Sequence, residues 1–368
     1  MGIPSVKLAI YAIVKDEEAH VGRFLDTCRE ADGIFVLDTG SRDGTVKALQ
    51  KAGIAVSTRL IRPWRFDAAR NAAMALVPLD YRILWALDFD EQPRPGWRKA
   101  ILDAWDGSCN QLVHTEVFCH NADGSPTAIL RKEKIHNRDF RWVHPTHECL
   151  EPRKGKKSSK HFCQVIVDHW QDRQKQRPTD LPLLELGVKE RPHDARMAYY
   201  HGRELWYVGK YADAVAELGR YLCLPGARWN AERAAALRHM ANCYLALRDY
   251  GQAEACLLRS CGEHPSHRDA WLEMARFYLD RQNYAGAYFA AHRALAIKER
   301  RTEYFEDEAS WRERPYDILS VAAWYMGKKD EAKAAVNIAI YMAPHDARIL
   351  KNHAMMEGIA ATGGGTST

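Results

Sequence analysis

Apolar positions in the first 110 residues fall into short runs rich in β-branched and aromatic side chains, separated by stretches with helical periodicity. LAIYAIV (8–14), GIFVLD (33–38), IAVST (54–58) and ILWALD (83–88) read as strands. Helices are expected over 17–30, 43–52, 66–77 and 96–106. Such alternation argues for a largely parallel sheet covered by helices on both faces. Ligands of these sheets lie beyond the carboxyl ends of the strands, and the polar clusters of this stretch fall there. Three further runs, QLVHTEVFC (111–119), TAILRK (127–132) and HFCQVIVDH (161–169), complete an α/β domain assigned to 1–177.

From about residue 178 the pattern is wholly helical. GKYADA (209–214), RDYGQA (248–253), QNYAGA (282–287) and GKKDEA (327–332) align as short turns between helix pairs. Their final alanines, Ala214, Ala253, Ala287 and Ala332, mark a close-packing position on each second helix. Trp271, Ala275 and Tyr278 stand upstream of Ala287, and Pro265 and Pro344 follow two of the alanines by twelve residues. These positions resemble the tetratricopeptide pattern over roughly 195–358. The resemblance implies an all-α helical-repeat domain over 178–360, a solenoid whose usual use is peptide or partner binding. It can equally buttress the first domain or form an oligomer. The Gly-rich end, 361–368, is expected to be disordered.

Composition narrows the classes. No apolar window approaches the length of a membrane span, and the N-terminus lacks the pattern of a signal peptide. The nine cysteines are scattered and contain no CxxC, which argues against a zinc site or a disulfide framework and for a reducing cytoplasm. The net charge of +5 is mild, but residues 131–160 hold ten Lys/Arg against four Asp/Glu.

Four segments carry chemistry. AIVKDEEAHV (12–21) runs a strand into a helix, and Asp16, Glu17 and Glu18 there can serve the helix dipole. In VLDTGSRDGT (36–45), Asp38 can accept from a base or a ribose hydroxyl, while Ser41 or Asp43 caps the next helix. WRFDAARNAAM (64–74) places Arg70 where a guanidinium can meet a base or a phosphate. WALDFDEQP (85–93) ends a strand in Asp88 and Asp90, a pair suited to a hard divalent cation bridging a diphosphate. Each alone is also an ordinary turn, cap or solvated helix face.

Their order resembles the family-two glycosyltransferases with the GT-A fold over about 7–175, and bacterial or phage members that carry tetratricopeptide-like helices behind the catalytic domain. That resemblance implies a nucleotide-sugar donor, with a UDP-hexose as the family-level expectation, and Mn²⁺ or Mg²⁺. It implies that the main chain at Ala12–Val14, with Asp38 and Arg70, holds the nucleoside. Asp88 is then expected near the ribose or the metal, Asp90 as principal metal ligand, and His169 as a late-domain metal ligand or a junction histidine. FRWVHPTHECL (140–150) resembles the family's VHE segment, which makes Glu148, with His147 beside it, the candidate base of an inverting transfer. His144 offers a second register for that alignment, and Asp168 or Glu91 can serve as the base instead.

Lys and Arg interleaved with Phe140, Trp142 and Phe162 suit an anionic polymer, so a nucleic acid whose base carries a hydroxyl, hydroxymethylated DNA first, is one expected acceptor. A duplex target would need its base flipped out. A peptide glycosylated on Cys, Ser or Thr is the second expected acceptor, and a non-catalytic repeat scaffold is a third reading.

Overall fold

The computed structural model describes residues 6–119, 126–170, 180–300 and 307–358. The expected tail at 361–368 lies outside them. The chain forms two compact units, Met1–His201 and Gly202–Thr368.

The first unit is built on an eight-stranded sheet. In chain order its strands are β1 (Leu8–Val14), β2 (Gly33–Asp38), β3 (Val56–Thr58), β4 (Ile83–Ala86), β5 (Glu91–Pro93), β6 (Gln111–Cys119) and β7 (Pro126–His136), with β10 (Lys160–His169) the last. They lie in the order β3-β2-β1-β4-β7-β6-β10-β5. β8 (Phe140–Val143) and β9 (Cys149–Pro152) form a separate antiparallel pair. β1 pairs in parallel with both β2 and β4, β7 is antiparallel to β4 and β6, and β10 is parallel to β6. The chain therefore runs the same way in β1, β2, β4, β6 and β10, and their carboxyl ends share one edge.

The helices are α1 (Val21–Thr27), α2 (Thr45–Lys51), α3 (Phe66–Ala75) and α4 (Trp97–Ala104). Side chains of a strand alternate between faces. On β1, Leu8, Ile10, Ala12 and Val14 pack with Phe24, Leu49, Trp97 and Ile101 of α1, α2 and α4. Ala9 and Tyr11 pack on the other face with Ala73 and Met74 of α3 and Trp142 of β8. Both faces are covered, as the alternation predicts, and the core strands read as nearly continuous apolar runs.

This unit runs past the boundary expected at 177/178, which itself falls among residues outside the description. It includes α5 (Leu181–Glu190) and the start of α6 (Ala195–Tyr207). Arg65 at the head of α3 reaches Glu190 at 2.5 and 3.0 Å, and Arg196 donates to the His147 carbonyl at 2.9 Å.

The second unit is helical among its described residues. Beyond α6 it contains α7 (Tyr211–Cys223), α8 (Asn230–Ala246), α9 (Tyr250–Glu263), α10 (Arg268–Asp280), α11 (Tyr284–Ala296), α12 (Arg314–Tyr325), α13 (Lys329–Met342) and α14 (Ala347–Glu357). The four turn motifs sit between α6 and α7, α8 and α9, α10 and α11, and α12 and α13. Ala214, Ala253, Ala287 and Ala332 are all fully buried. Each turn passes through one left-handed residue: Gly209, Arg248, Gln282 or Gly327. A short 3-10 turn (Glu308–Trp311) enters between α11 and α12 and lengthens the last interval between motifs; Arg268 donates to the carbonyls of Ile297 and Ser310 there. No helix among the described residues is long and apolar enough to cross a membrane.

Candidate active site

The first two motifs lock into each other at the carboxyl ends of β1 and β2. Asp16 accepts from the Arg42 amide at 2.7 Å and its own amide donates to Ser41 Oγ at 2.9 Å. Glu18 accepts from the Gly44 amide at 2.9 Å, and the Glu17 amide donates to Thr45 Oγ1 at 2.8 Å. These acids therefore do more than serve a helix dipole: they clamp the loop that follows β2. Asp38 is buried and folds back on that loop, accepting from the amides of Gly40 and Ser41 at 3.2 and 3.0 Å. Its expected contact with a nucleoside thus competes with its own turn. Asp43 accepts from the Thr45 amide at 3.0 Å just ahead of α2, whose N-cap position is Gly44 rather than the expected Ser41 or Asp43.

Arg70 joins two of the other sequence-derived candidates. It is buried on α3, donates to both oxygens of Asp88 at 2.7 and 2.9 Å, and donates through Nε to Glu148 at 2.8 Å. All three nitrogens of its guanidinium meet carboxylates, so the base or phosphate expected at Arg70 would share it with Asp88 and Glu148. Lys134 of β7 closes the cluster, bonding Asp88 at 3.1 Å and pairing with Glu91. Burial alone would raise the Asp88 carboxyl, but the charges of Arg70 and Lys134 hold it well below the usual carboxylate range. Burial pushes Glu91 up to about 7; Lys134 opposes this and the charges of Asp88 and Glu116 add to it.

A second chain of contacts lies on the neighbouring strands. β5 folds back antiparallel on β10 and sets Glu91 opposite His169, and the Trp170 amide bonds the Asp90 carbonyl at 2.9 Å. His169 Nε2 stands 3.1 Å from Asp90 and its Nδ1 2.9 Å from Glu116 of β6. Burial would lower the ring's pKa, but the bonds to Asp90 and Glu116 raise it to about 10. His169 is thus an imidazolium held between two carboxylates.

A divalent cation fits part of this arrangement. Both Asp88 oxygens accept from Arg70 or Lys134, so a cation at Asp88, expected as a metal ligand, would share them with those donors. Glu91, Glu116 and His169 bring ligand atoms within 4.8 Å of one another, and Glu116 Oε2 is buried with no partner. Carboxylate oxygens with one imidazole suit Mg²⁺ or Mn²⁺. Asp90 stands 3.1 Å from the same histidine, beside this donor set.

Glu148 ends a loop whose shape is set by its histidines. His144 and His147 both have left-handed backbone, at φ 79° and 49°. His144 is buried 3.5 Å from Asp194, and His147 stacks on Tyr200 with ring centroids 3.9 Å apart. Neither ring is paired with Glu148. The Phe66 amide bonds the Pro145 carbonyl at 2.9 Å, and Asn71 clamps Trp142 through its amide and carbonyl at 3.0 and 2.8 Å. The consecutive Arg70 and Asn71 thus tie α3 to this loop by charge and by backbone bonds. Below them Trp142 Nε1 donates to Tyr11 Oη, which meets His136 Nε2, both at 2.7 Å.

Of the alternative bases, Asp168 is held by Arg94 through two bonds of 2.8 Å, and Glu91 is almost fully buried. Only one Glu148 oxygen is bound by Arg70. Lys134 and Glu116 were not singled out in the sequence: one hid in a lysine-rich run, the other at the middle of a strand.

Residues 10–164 match the family described as Glycosyl transferase family 2, and residues 234–277 match Tetratricopeptide repeat. The chain is 27% identical over 325 residues to the TPR repeat-containing protein Synpcc7942_0270 of Synechococcus elongatus, covering 80% of this chain and 77% of that protein. Among solved structures, MamA is similar at 17% identity and a TM-score of 0.37, over 46% of this chain and 89% of its own. YrrB, titled a TPR protein with an unusual peptide-binding site, is similar at 15% identity and a TM-score of 0.39, over 48% of this chain and 82% of its own.

Proposed function

We propose that the chain, whose residues 10–164 match Glycosyl transferase family 2 and 234–277 Tetratricopeptide repeat, moves a hexose from a UDP-sugar, with inversion, to a macromolecular acceptor. The observation that carries this reading is the convergence of Arg70, Asp88, Asp90, Glu148 and His169 at one edge of the sheet, from four separate stretches of chain. The main chain at Ala12–Val14 and the clamped loop after Asp38 form the nucleoside side of that edge. Asp90 and His169, with Glu116 and Glu91 beside them, would hold Mn²⁺ or Mg²⁺. A bound cation supplies positive charge to the departing diphosphate.

Glu148 is the base. Arg70 anchors one of its oxygens, and the other takes the acceptor proton as the acceptor oxygen bonds to the anomeric carbon and the bond to the donor phosphate breaks. Asp88 and Lys134 keep Arg70 aligned, so the base is positioned by the residues that flank the donor.

Hydroxymethylated DNA is the first acceptor class, supported by the excess of Lys/Arg in 131–160. A peptide modified on Cys, Ser or Thr is the second. It is favoured by a recess of about 270 Å³ in the helical unit that mixes Asn242, Glu273, Arg276, Asp280 and Arg281 with Tyr250. We place the reaction in the cytoplasm of a bacterial or phage-infected cell.

The test is incubation with Mn²⁺ and UDP-glucose against hydroxymethylated DNA, unmodified DNA and a peptide library, read by intact mass, with Asp90→Ala as control. A hexose-sized gain on hydroxymethylated DNA alone, absent in the variant, supports the first acceptor. Gain on peptides supports the second. Neither gain nor hydrolysis of the donor would leave a non-catalytic scaffold.

A further inference from the structure

The structure divides the basic stretch 131–160. Lys134 belongs to the charge cluster of the active site. Lys160 pairs with Glu133 at 2.6 Å, Lys156 pairs with Asp139 at 3.0 Å, and Arg131 lies over the Phe162 ring at 5.1 Å. Arg138, Arg141 and Arg153 are arranged differently. Together with Asn71, Met74 and Ala75 they line an open recess of about 540 Å³ beside α3 and β8, and no acidic side chain lines it.

The acids closest to this recess already face other cations. Asp80 pairs with Lys7 at 2.7 Å and Asp139 with Lys156 at 3.0 Å. Glu151 is shared between Arg141 at 2.8 Å and Arg191 at 3.3 Å. Arg138 and Arg153 form no salt bridge among the described residues, and Arg141 shares Glu151 with Arg191, so positive charge at the recess exceeds negative. Like charges around one concavity repel each other and raise the local concentration of anions.

The guanidinium groups are also fixed in place. Arg138 donates to the carbonyls of Val77 and Pro78 at 2.8 and 2.5 Å, and Arg153 Nε to those of Arg138 and Phe140 at 3.2 and 3.0 Å. Carbonyls orient a guanidinium without cancelling its charge. Arg138 Nε is buried with no partner, and the two terminal nitrogens of Arg153 make no bond among the described residues. Planar forks with free N–H groups are the donors that phosphate oxygens take in pairs.

We infer that the recess lined by Arg138, Arg141 and Arg153 binds phosphate oxyanions, drawn either from the backbone of a polynucleotide or from free phosphate. This goes beyond the transfer reaction and does not depend on it.

The test is calorimetric titration of the full chain without Mn²⁺, using pyrophosphate in one arm and a short single-stranded oligodeoxynucleotide in the other. Arg138→Gln, Arg141→Gln and Arg153→Gln are titrated alongside. Arg141 is exposed and touches Glu151 rather than backbone, so its variant keeps the test valid if the other two fail to fold. Binding that weakens with salt and drops about tenfold in each folded variant is expected, the scale of one lost charge-assisted hydrogen bond. Tighter binding of the oligonucleotide identifies the polynucleotide as the source, and binding of pyrophosphate alone identifies the free oxyanion. No binding in either arm, or equal affinity in wild type and all folded variants, overturns the inference.

Discussion

Arg70 grips both oxygens of Asp88, at 2.7 and 2.9 Å, from a position on α3 eighteen residues upstream of the aspartate. Its third nitrogen carries the link to Glu148, so one buried guanidinium joins the donor side of the edge to the candidate base. The grip fixes Asp88 between two cations, Arg70 and Lys134.

Removing Arg70 leaves buried carboxylates without their counter-charge. Arg70→Met is expected to destabilise the first unit by about 3–5 kcal/mol, the cost of breaking a buried ion pair from one side. Arg70→Met combined with Asp88→Asn should cost less, because one orphaned charge is gone. Urea denaturation followed by tryptophan fluorescence checks this. A single variant as stable as wild type would show that water, not Arg70, neutralises the site.

Gly44 is required for a spatial reason. A Cβ there would sit 2.1 Å from Glu18 Oε1, while its backbone φ is ordinary. Gly44→Ala must displace the Glu18 carboxylate and lose its bond to the residue 44 amide, at a cost of about 1–2 kcal/mol. In a Glu18→Ala background the same substitution should be nearly neutral. Additive losses across this double-mutant cycle would mean the two motifs do not interlock as described.

Much of this site was legible because its residues sit where chemistry and local structure agree. Asp38, Asp88 and Asp90 follow apolar strands, and Arg70 lies one turn into a helix. Glu116 was not legible: in QLVHTEVFC it alternates like any outward polar residue, and only the β6–β10–β5 register sets it against His169. β5 itself is the three residues Glu91–Pro93, too short and proline-ended to read as a strand. The arginine recess was hidden for the opposite reason, since a lysine-rich run gives no clue to which cations find internal partners.

At the proposed metal site, His169 would make cation binding a proton-releasing event. Its ring titrates near 10 and donates to Asp90 and Glu116, so at pH 8 it carries two protons. A cation can take Nε2 only after that nitrogen loses its proton, while Glu116 keeps the other nitrogen oriented. Mn²⁺ binding is therefore expected to release about one proton at pH 7–8 and to strengthen as pH rises. Calorimetry in two buffers of different ionisation enthalpy measures the release, which should vanish in His169→Ala. Tight Mn²⁺ binding with no buffer dependence would place the ion elsewhere.

His136 links stability to acid. Burial lowers its ring from the ordinary 6.5 to about 4, and its Nδ1 meets the Asn137 carbonyl at 2.6 Å. A neutral ring donating there must accept the Tyr11 hydroxyl at Nε2, so protonation breaks the Tyr11–Trp142 chain beneath Arg70. The folded pKa is the lower one, so between about 4 and 6.5 the unfolded chain binds a proton that the folded chain does not. Stability is therefore full above the unfolded value and falls as pH drops through this window, by up to about 3 kcal/mol from this residue. His114, pushed down to about 3 by burial, adds to the loss with the same sign. Ring-nitrogen NMR separates the two: the His136 signal should remain that of the neutral Nδ1–H tautomer at pH 5, while exposed histidines have already titrated. A His136 ring that titrates near 6.5 would remove the acid-sensitive link and leave the Tyr11 hydroxyl bonded to a different partner.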